Sequence, residues 1–373
     1  MIPFQKCTDP LSERMVVRRR TPLRRTLQAL GSGRLAVGFL GGSITEENAG
    51  NWPDPAMAWL HETFPAARLV VENAGIGATG SDSACLRVDR EILSRGCDVC
   101  FVEYAVNDQE APTERRMRTR EGLIRKLRAA GLDVVIVYTF SQTMYADMRD
   151  GRVPASIAEF EKLAEHYALS SVWAGLHAMR EVGSGNMKWH QWLPDALHPS
   201  PRGSWSYAQA VRMLWEAELD APPPEPVADR SEMPLPLDPG NWENIAFVPL
   251  SSTTLDGPWL LKRTYSIKHV EQALETHAPG SKLAFSFDGR GLALVFEYGR
   301  LSSDIRYRLD DGEWTAVEWV RPDWAGDRGR VDPLVISDDL PNGRHHFEME
   351  VINGNRPDCM GTECRVCLIG VIL

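Results

Sequence analysis

No stretch of the 373-residue chain approaches the length of a membrane span, and Met1-Ile-Pro-Phe-Gln-Lys-Cys-Thr-Asp holds no apolar core of secretory-leader length. Both absences point to a cytoplasmic protein without a membrane partner. Positive charge is also in deficit. The formal net charge is −10, and a phosphate backbone needs a basic face, so nucleic acid is excluded as a partner. The local exception, Arg18-Arg19-Arg20 with Arg24 and Arg25, reads as a solvated face or a contact with the acidic body of the protein. No G-x-S-x-G occurs, which argues against the nucleophile elbow of an α/β-hydrolase. Cysteine is sparse, and its odd count of seven does not close into a disulfide framework. Cys97-x-x-Cys100 and Cys364-x-x-Cys367 have zinc-like spacing. Both lie in apolar strand-like runs with no turn glycine between the thiols, which suits small core residues better than ligands. No metal or organic cofactor is expected.

What remains is ample for two cores: 43% of residues are hydrophobic and 25% charged, as in soluble globular chains. Strand-like runs at Leu35 to Leu40, Leu69 to Glu72, Val99 to Glu103 and Val134 to Phe140 alternate with helical stretches at 55–63, 83–93, 114–130, 157–167 and 204–219. That alternation predicts an α/β fold with a doubly wound parallel sheet, whose ligand sites lie at the carboxyl ends of the strands.

The first of these strands ends on Gly41-Gly42 directly before Ser43, and glycines there let the backbone turn tightly with its amides exposed. A serine hydroxyl is a weak nucleophile at neutral pH. It needs an adjacent base, and the base needs a partner that fixes its tautomer. In Asp195-Ala-Leu-His198-Pro199 both side chains can lie on one side of a loop. Asp195 can then accept from one imidazole nitrogen of His198 while the other faces Ser43. Alone, such a pair would be a solvated loop.

Two further segments fall between. Glu72-Asn73-Ala-Gly75-Ile-Gly77-Ala78-Thr-Gly80-Ser81 reads as a strand emptying into a glycine-rich loop able to aim free amides at an anion. Asp98 to Tyr104 is another buried strand, followed by Ala105-Val-Asn107-Asp108. The Asn107 amide at that strand end is a candidate oxyanion donor, although cap and turn roles are the commoner use of Asn-Asp.

In this order the four segments resemble the SGNH (GDSL-like) hydrolases over roughly residues 35–215. The resemblance implies a flavodoxin-like sheet, Ser43 as nucleophile, His198 as base and Asp195 as its orienting acid. It also implies an oxyanion hole from the Ser43 amide, the Asn107 side chain and the amide of Ala78 or Gly77. The chain departs from the family pattern in places: Gly41-Gly42-Ser43 replaces G-D-S, Ala105-Val-Asn107-Asp108 replaces G-x-N-D, and Ala78 aligns with the glycine that commonly donates its amide.

Ala221-Pro-Pro-Pro-Glu-Pro and Met233-Pro-Leu-Pro-Leu-Asp-Pro239-Gly240 read as a linker over 221–240, separating a catalytic domain at 1–220, with an N-terminal extension at 1–33, from a second domain at 241–373. After it only strands follow, separated by Asp-Gly, Asn-Gly and Gly-Arg turns, which predicts an antiparallel β-sandwich of roughly eight strands. The spacing Phe287-x-Gly289, Ile305-x-Tyr307-x-Leu309-Asp310-Asp311-Gly312 and Leu340-Pro-Asn-Gly343-Arg-His345 is similar to the jelly-roll domain that accompanies SGNH domains in some carbohydrate esterases. Trp314, Trp319 and Trp324 suit either stacking on a pyranose or the sandwich core. Trp52, Trp189 and Trp192 flank the catalytic blocks and are candidates for the pocket wall; His190 reads as an ordinary loop residue.

The expectation is a cofactor-free serine esterase or O-deacetylase acting on a small acyl ester, an acetylated saccharide first. A lipase or thioesterase would use the same machinery, and a non-catalytic carbohydrate-binding protein is the reading outside enzymes. The oligomeric state is not legible in the sequence.

Overall fold

In the computed structural model, residues 15–46, 50–221, 233–263, 270–354 and 356–373 are described. The chain divides into two compact units, Met1–Pro239 and Gly240–Leu373. Residues 1–14 of the expected N-terminal extension at 1–33, and 222–232 of the expected linker at 221–240, lie outside the described residues.

The apolar run before Ser43 becomes a strand that is buried along nearly its whole length, as a parallel sheet covered on both faces requires. The elements of the first unit follow in the order β1 (Val17–Arg18), α1 (Arg24–Gly31), β2 (Arg34–Gly41), α2 (Pro53–Thr63), β3 (Arg68–Asn73), α3 (Ser81–Glu91), β4 (Val99–Glu103), α4 (Thr113–Ala129), β5 (Asp133–Val137), α5 (Tyr145–Arg149), α6 (Ala155–His166), β6 (Ser170–Val172), α7 (Ala174–Gly183), α8 (Trp189–Trp192) and α9 (Pro201–Asp220). The sheet order is β1-β6-β5-β4-β2-β3, parallel except for β1 at the edge. Strand order reverses at β2, which has β3 on one side and β4 on the other. Such a switch point opens a crevice at the carboxyl ends of the strands, where β2 delivers Ser43 and β4 delivers Asn107.

Cross-strand register puts Phe39 beside Phe101, with ring centroids 5.4 Å apart in a stack. Trp52 meets Phe39 edge-on at 5.2 Å and Trp215 of α9 closes on Phe101 at 5.9 Å, so one aromatic cluster anchors β2, β4 and two helices. The arginine cluster makes contact with the acidic body: Arg18 and Arg20 pair with Glu161, Arg19 with Glu218 and Arg25 with Asp98.

The described end of the proline-rich stretch is not a free spacer. The Leu237 and Asp238 amides donate to Glu121 of α4 at 2.6 and 2.8 Å, Arg118 pairs with Asp238 at 2.9 Å, and Arg125 donates to the Pro234 carbonyl at 2.8 Å. Prolines deny this segment regular structure, and α4 supplies the partners that its backbone lacks.

The second unit contains β7 (Ile245–Phe247), β8 (Thr254–Asp256), β9 (Leu260–Arg263), β10 (Gln272–Thr276), β11 (Lys282–Gly289), β12 (Gly291–Tyr298), β13 (Asp304–Leu309), β14 (Thr315–Val317), β15 (Arg330–Ser337), β16 (Gly343–Ile352) and β17 (Cys364–Ile372). One sheet runs β15-β12-β17-β10-β9 with β7 also on β17, and the other β14-β13-β16-β11-β8. All pairings between these strands are antiparallel. Leu283, Phe285, Ile305, Phe347 and Met349 from one sheet share a core with Leu274, Leu292, Leu294, Val366 and Ile369 from the other, which makes a sandwich. The sequence count of roughly eight strands is too low. β7, β8 and β14 have three residues each, too few for alternation to register.

Candidate active site

Ser43 sits in a turn that follows β2, where the Thr45 and Glu46 amides donate to the Gly42 carbonyl at 3.0 and 2.9 Å. The glycine pair before it is needed for close approach. A Cβ on Gly42 would lie 2.1 Å from Asn107 Oδ1, and one on Gly41 would lie 2.4 Å from Thr45 Oγ1. Neither glycine has positive φ.

The Asp195–His198 loop presents both side chains to Ser43. Asp195 Oδ1 accepts the amides of Leu197 (3.0 Å) and His198 (2.7 Å), an Asx-type turn that forces Ala196 to φ 69°. Ser200 then caps α9 by accepting the Arg202 and Gly203 amides, which fixes where the loop ends. In this frame Asp195 Oδ2 lies 2.7 Å from His198 Nδ1, and His198 Nε2 lies 2.8 Å from Ser43 Oγ. Because a carboxylate accepts only, Nδ1 carries the proton in the neutral ring and Nε2 is free to accept from the serine hydroxyl. Partial burial works to raise the Asp195 pKa, but the His198 ring and the backbone amides outweigh it and hold the carboxyl below its ordinary value. Both side chains are about half exposed, 46% for His198 and 54% for Asp195, so this edge of the site is open to a substrate.

Asn107 follows β4 at the start of a short 3-10 turn, Asn107–Glu110, with its side-chain amide packed against Gly42. In the loop after β3 most amides are occupied: Ala74 on the Phe39 carbonyl, Gly75 on Asn73 Oδ1, Ile76 on the Gly41 carbonyl and Thr79 on the Ile76 carbonyl. Gly77 donates to Glu46 Oε2 at 3.1 Å. That acceptor removes Gly77 as a free donor and leaves Ala78, at φ 59°, whose amide has no acceptor among the described residues. An alanine at such an angle is strained by roughly 1–2 kcal/mol.

Sequence reasoning missed the layer beneath. Glu103, at the end of β4 and fully buried, accepts from Thr45 Oγ1 at 3.1 Å and Thr139 Oγ1 at 2.7 Å. Trp52 Nε1 donates to the same Thr45 hydroxyl at 3.1 Å. Burial pushes the Glu103 carboxyl up to about 8. Asp108 caps α3 through the Ser81 amide at 2.8 Å and pairs with buried Arg120 at 2.7 Å, so the residue after Asn107 anchors the turn that carries it. A charged residue inside an apolar strand, Phe101-Val-Glu103-Tyr104, was the available signal for Glu103.

Of the tryptophans, Trp52 and Trp192 are fully buried and cannot offer a face to substrate; their indole N–H groups bond Thr45 and Tyr207. Trp189 is 37% exposed and stacks on Trp192 at 5.1 Å. His190 is exposed. In the sandwich, Trp319 joins the core and stacks on Tyr298, Trp314 lies under Arg306 and Arg308, and Trp324 is exposed.

Cys97 and Cys100 are buried beside or within β4, and burial pushes Cys97 up to about 12. Cys364 and Cys367 lie within β17, the latter pushed up to about 12, again by burial. Among the described residues, Glu275, His277 and Glu363 are the group close enough to share an ion, with ligand atoms within 4.8 Å. They belong to the second unit, and both carboxylates already face cations, Glu275 with Lys262 and Arg365 and Glu363 with Arg328.

Residues 39–205 match the GDSL-like Lipase/Acylhydrolase family, a span that holds Ser43, the loop after β3, Asn107, Asp195 and His198. The fold is similar to that of a two-domain esterase, CEX, active on acetylated mannans, with a TM-score of 0.79 and 20% identity over 95% of this chain and 96% of that one. The same esterase co-crystallised with mannopentaose aligns with a TM-score of 0.78 and 21% identity, over 95% and 96% of the two chains. No curated protein matches the chain. No helix among the described residues is long and apolar enough to cross a membrane.

Proposed function

We propose, starting from residues 39–205 as a GDSL-like acylhydrolase domain, that this chain is a serine esterase that removes small acyl groups, acetyl above all, from saccharides. The observation that carries the reading is the unbroken line of hydrogen bonds from Ser43 Oγ through the His198 ring to Asp195. His198 Nε2 takes the proton as Ser43 Oγ attacks the ester carbonyl, and Asp195 stabilises the imidazolium that forms. The negative charge moves to the carbonyl oxygen, where the amides of Ser43 and Ala78 and the Asn107 side chain donate to it. As the tetrahedral intermediate collapses, the C–O bond breaks and the imidazolium returns its proton to the leaving alkoxide. Water, deprotonated by the same Nε2, then attacks the acyl-enzyme, releases the acid and frees Ser43. No step calls on another group.

The fold-level likeness to an esterase active on acetylated mannans supports the substrate class. The six described cysteines are all free, which supports the cytoplasmic placement. Acetate release from acetylated manno-oligosaccharides, with a nitrophenyl ester series of increasing chain length, tests the reading. Turnover highest on acetyl and lost in Ser43→Ala is expected. Preference for long acyl chains would make it a lipase, and no turnover on any ester would end the esterase reading.

A further inference from the structure

Glu46 joins two pieces of the site. Its amide closes the nucleophile turn on the Gly42 carbonyl at 2.9 Å. Its main chain packs on the next loop so tightly that a Cβ on Gly75 would lie 2.6 Å from its nitrogen and 2.7 Å from its Cα. Its carbonyl accepts from Asn51 Nδ2, which also holds the Ser43 carbonyl at 3.0 Å. Its carboxylate reaches across to the Gly77 amide at 3.1 Å. A Cβ on Gly77 would lie 3.0 Å from that same oxygen and 3.6 Å from Ser43 Cβ, so carboxylate, loop and nucleophile meet at one point.

That loop is a poor self-supporting structure. Thr79 closes it on the Ile76 carbonyl through its amide at 3.3 Å and its hydroxyl at 2.8 Å. Between them, Ala78 holds the left-handed angle that an L-residue resists. Something outside the turn must keep the Gly77–Ala78 peptide in place, and a charge-assisted acceptor on the preceding amide is a strong one. A negative group near a developing oxyanion is unfavourable electrostatically, so its benefit must be geometric.

We propose that Glu46 is a positioning residue for the oxyanion-binding loop: by holding the Gly77 N–H it fixes the Ile76–Thr79 turn so that the Ala78 N–H stays free for the substrate carbonyl. The proposal rests on the acylhydrolase reading above. It separates the two candidate amides, since Gly77 is the one that is held and Ala78 the one that is used.

The test measures kcat, KM and thermal unfolding of full-length Glu46→Gln, Glu46→Asp and Glu46→Ala on p-nitrophenyl acetate. Gln keeps an acceptor oxygen at the same reach, whereas Asp keeps the charge and is one methylene short. The expected result is Gln within about threefold of wild type, with Asp and Ala lowered about 10- to 100-fold in kcat and changed less than about threefold in KM. Phosphonylation of Ser43 should slow by the same factor. Wild-type kcat in both Asp and Ala would overturn the proposal, as would a loss in KM alone. Gln falling as far as Asp would also overturn it, because an acceptor oxygen at the right reach would then not be enough to hold the turn. If the Ala variant does not fold, the Gln and Asp pair decides. A wild-type chain without Ser43-dependent esterase activity would instead refute the acylhydrolase reading.

Discussion

Replacing Glu103 with Gln should change how stability depends on pH. The carboxyl is fully buried under the Ser43 turn between Thr45 and Thr139, and burial raises its pKa from an ordinary 4.5 to about 8. Between those values the unfolded chain has released the proton while the folded chain keeps it, so unfolding is increasingly favoured as pH rises. Stability is fully present below about 4.5 and is lost as pH climbs through about 8. The span corresponds to about 5 kcal/mol in all, with about 3 kcal/mol already lost at pH 7. Gln is nearly isosteric and neutral. Its carbonyl oxygen can accept from one threonine hydroxyl and its NH2 can donate to the other, so the hydrogen bonds survive and the titration does not. Urea unfolding of both proteins, followed by tryptophan fluorescence of the transition that includes Trp52, should give unfolding free energies that agree within about 1 kcal/mol near pH 5. Near pH 8.5 the Gln protein should be more stable by several kcal/mol, again on the order of the linkage value. Parallel pH curves for the two proteins would refute the reasoning and mean that Glu103 is already ionised in the folded state.

Asn107→Ala should lower kcat about 10²- to 10³-fold with a smaller change in KM, and Asn107→Asp should be worse because it sets a negative group against the oxyanion; steady-state kinetics on p-nitrophenyl acetate distinguishes this from a binding role. Ala78→Gly should raise stability by up to about 1 kcal/mol, by relieving the left-handed angle, while keeping kcat within about threefold, since the N–H that matters is backbone; a large loss of kcat would remove this amide from the oxyanion hole. A chain ending at Pro239 should unfold at a higher temperature than one ending at Asp220. The longer chain keeps the Leu237 and Asp238 amides on Glu121 and the Arg118–Asp238 pair, worth roughly 2–4 kcal/mol together. Equal melting temperatures would mean that this segment is not part of the first unit.

The parts of the candidate site that are legible in the sequence are those whose chemistry is written locally. A glycine pair before a serine, an Asp-x-x-His turn and an Asn after an apolar strand each occupy a few consecutive residues, and the alternation of strands and helices puts the serine and the asparagine at one end of a sheet. The hidden parts depend on partners far apart in sequence. Nothing near Glu46 announces that its carboxylate reaches Gly77, and nothing near Gly42 says that its missing Cβ makes room for Asn107. Trp52 reads as a candidate for the pocket wall because it flanks the Ser43 block, whereas in the fold its indole serves the buried Thr45 hydroxyl. β1 escaped detection because two residues among arginines, Val17–Arg18, carry no periodicity. The proline-rich stretch reads as a linker, and its prolines exclude regular structure but say nothing of the backbone partners that α4 offers to Pro234 and Leu237.

Covalent titration of the nucleophile tests the central claim most directly. Intact-mass measurement of the full chain after treatment with a fluorophosphonate should show one adduct per molecule. Peptide mapping should place it on Ser43, and Ser43→Ala should give no adduct and lose about 10⁴-fold or more in kcat while melting at the wild-type temperature. An adduct on another residue, or near-wild-type ester hydrolysis by a folded Ser43→Ala protein, would contradict the account.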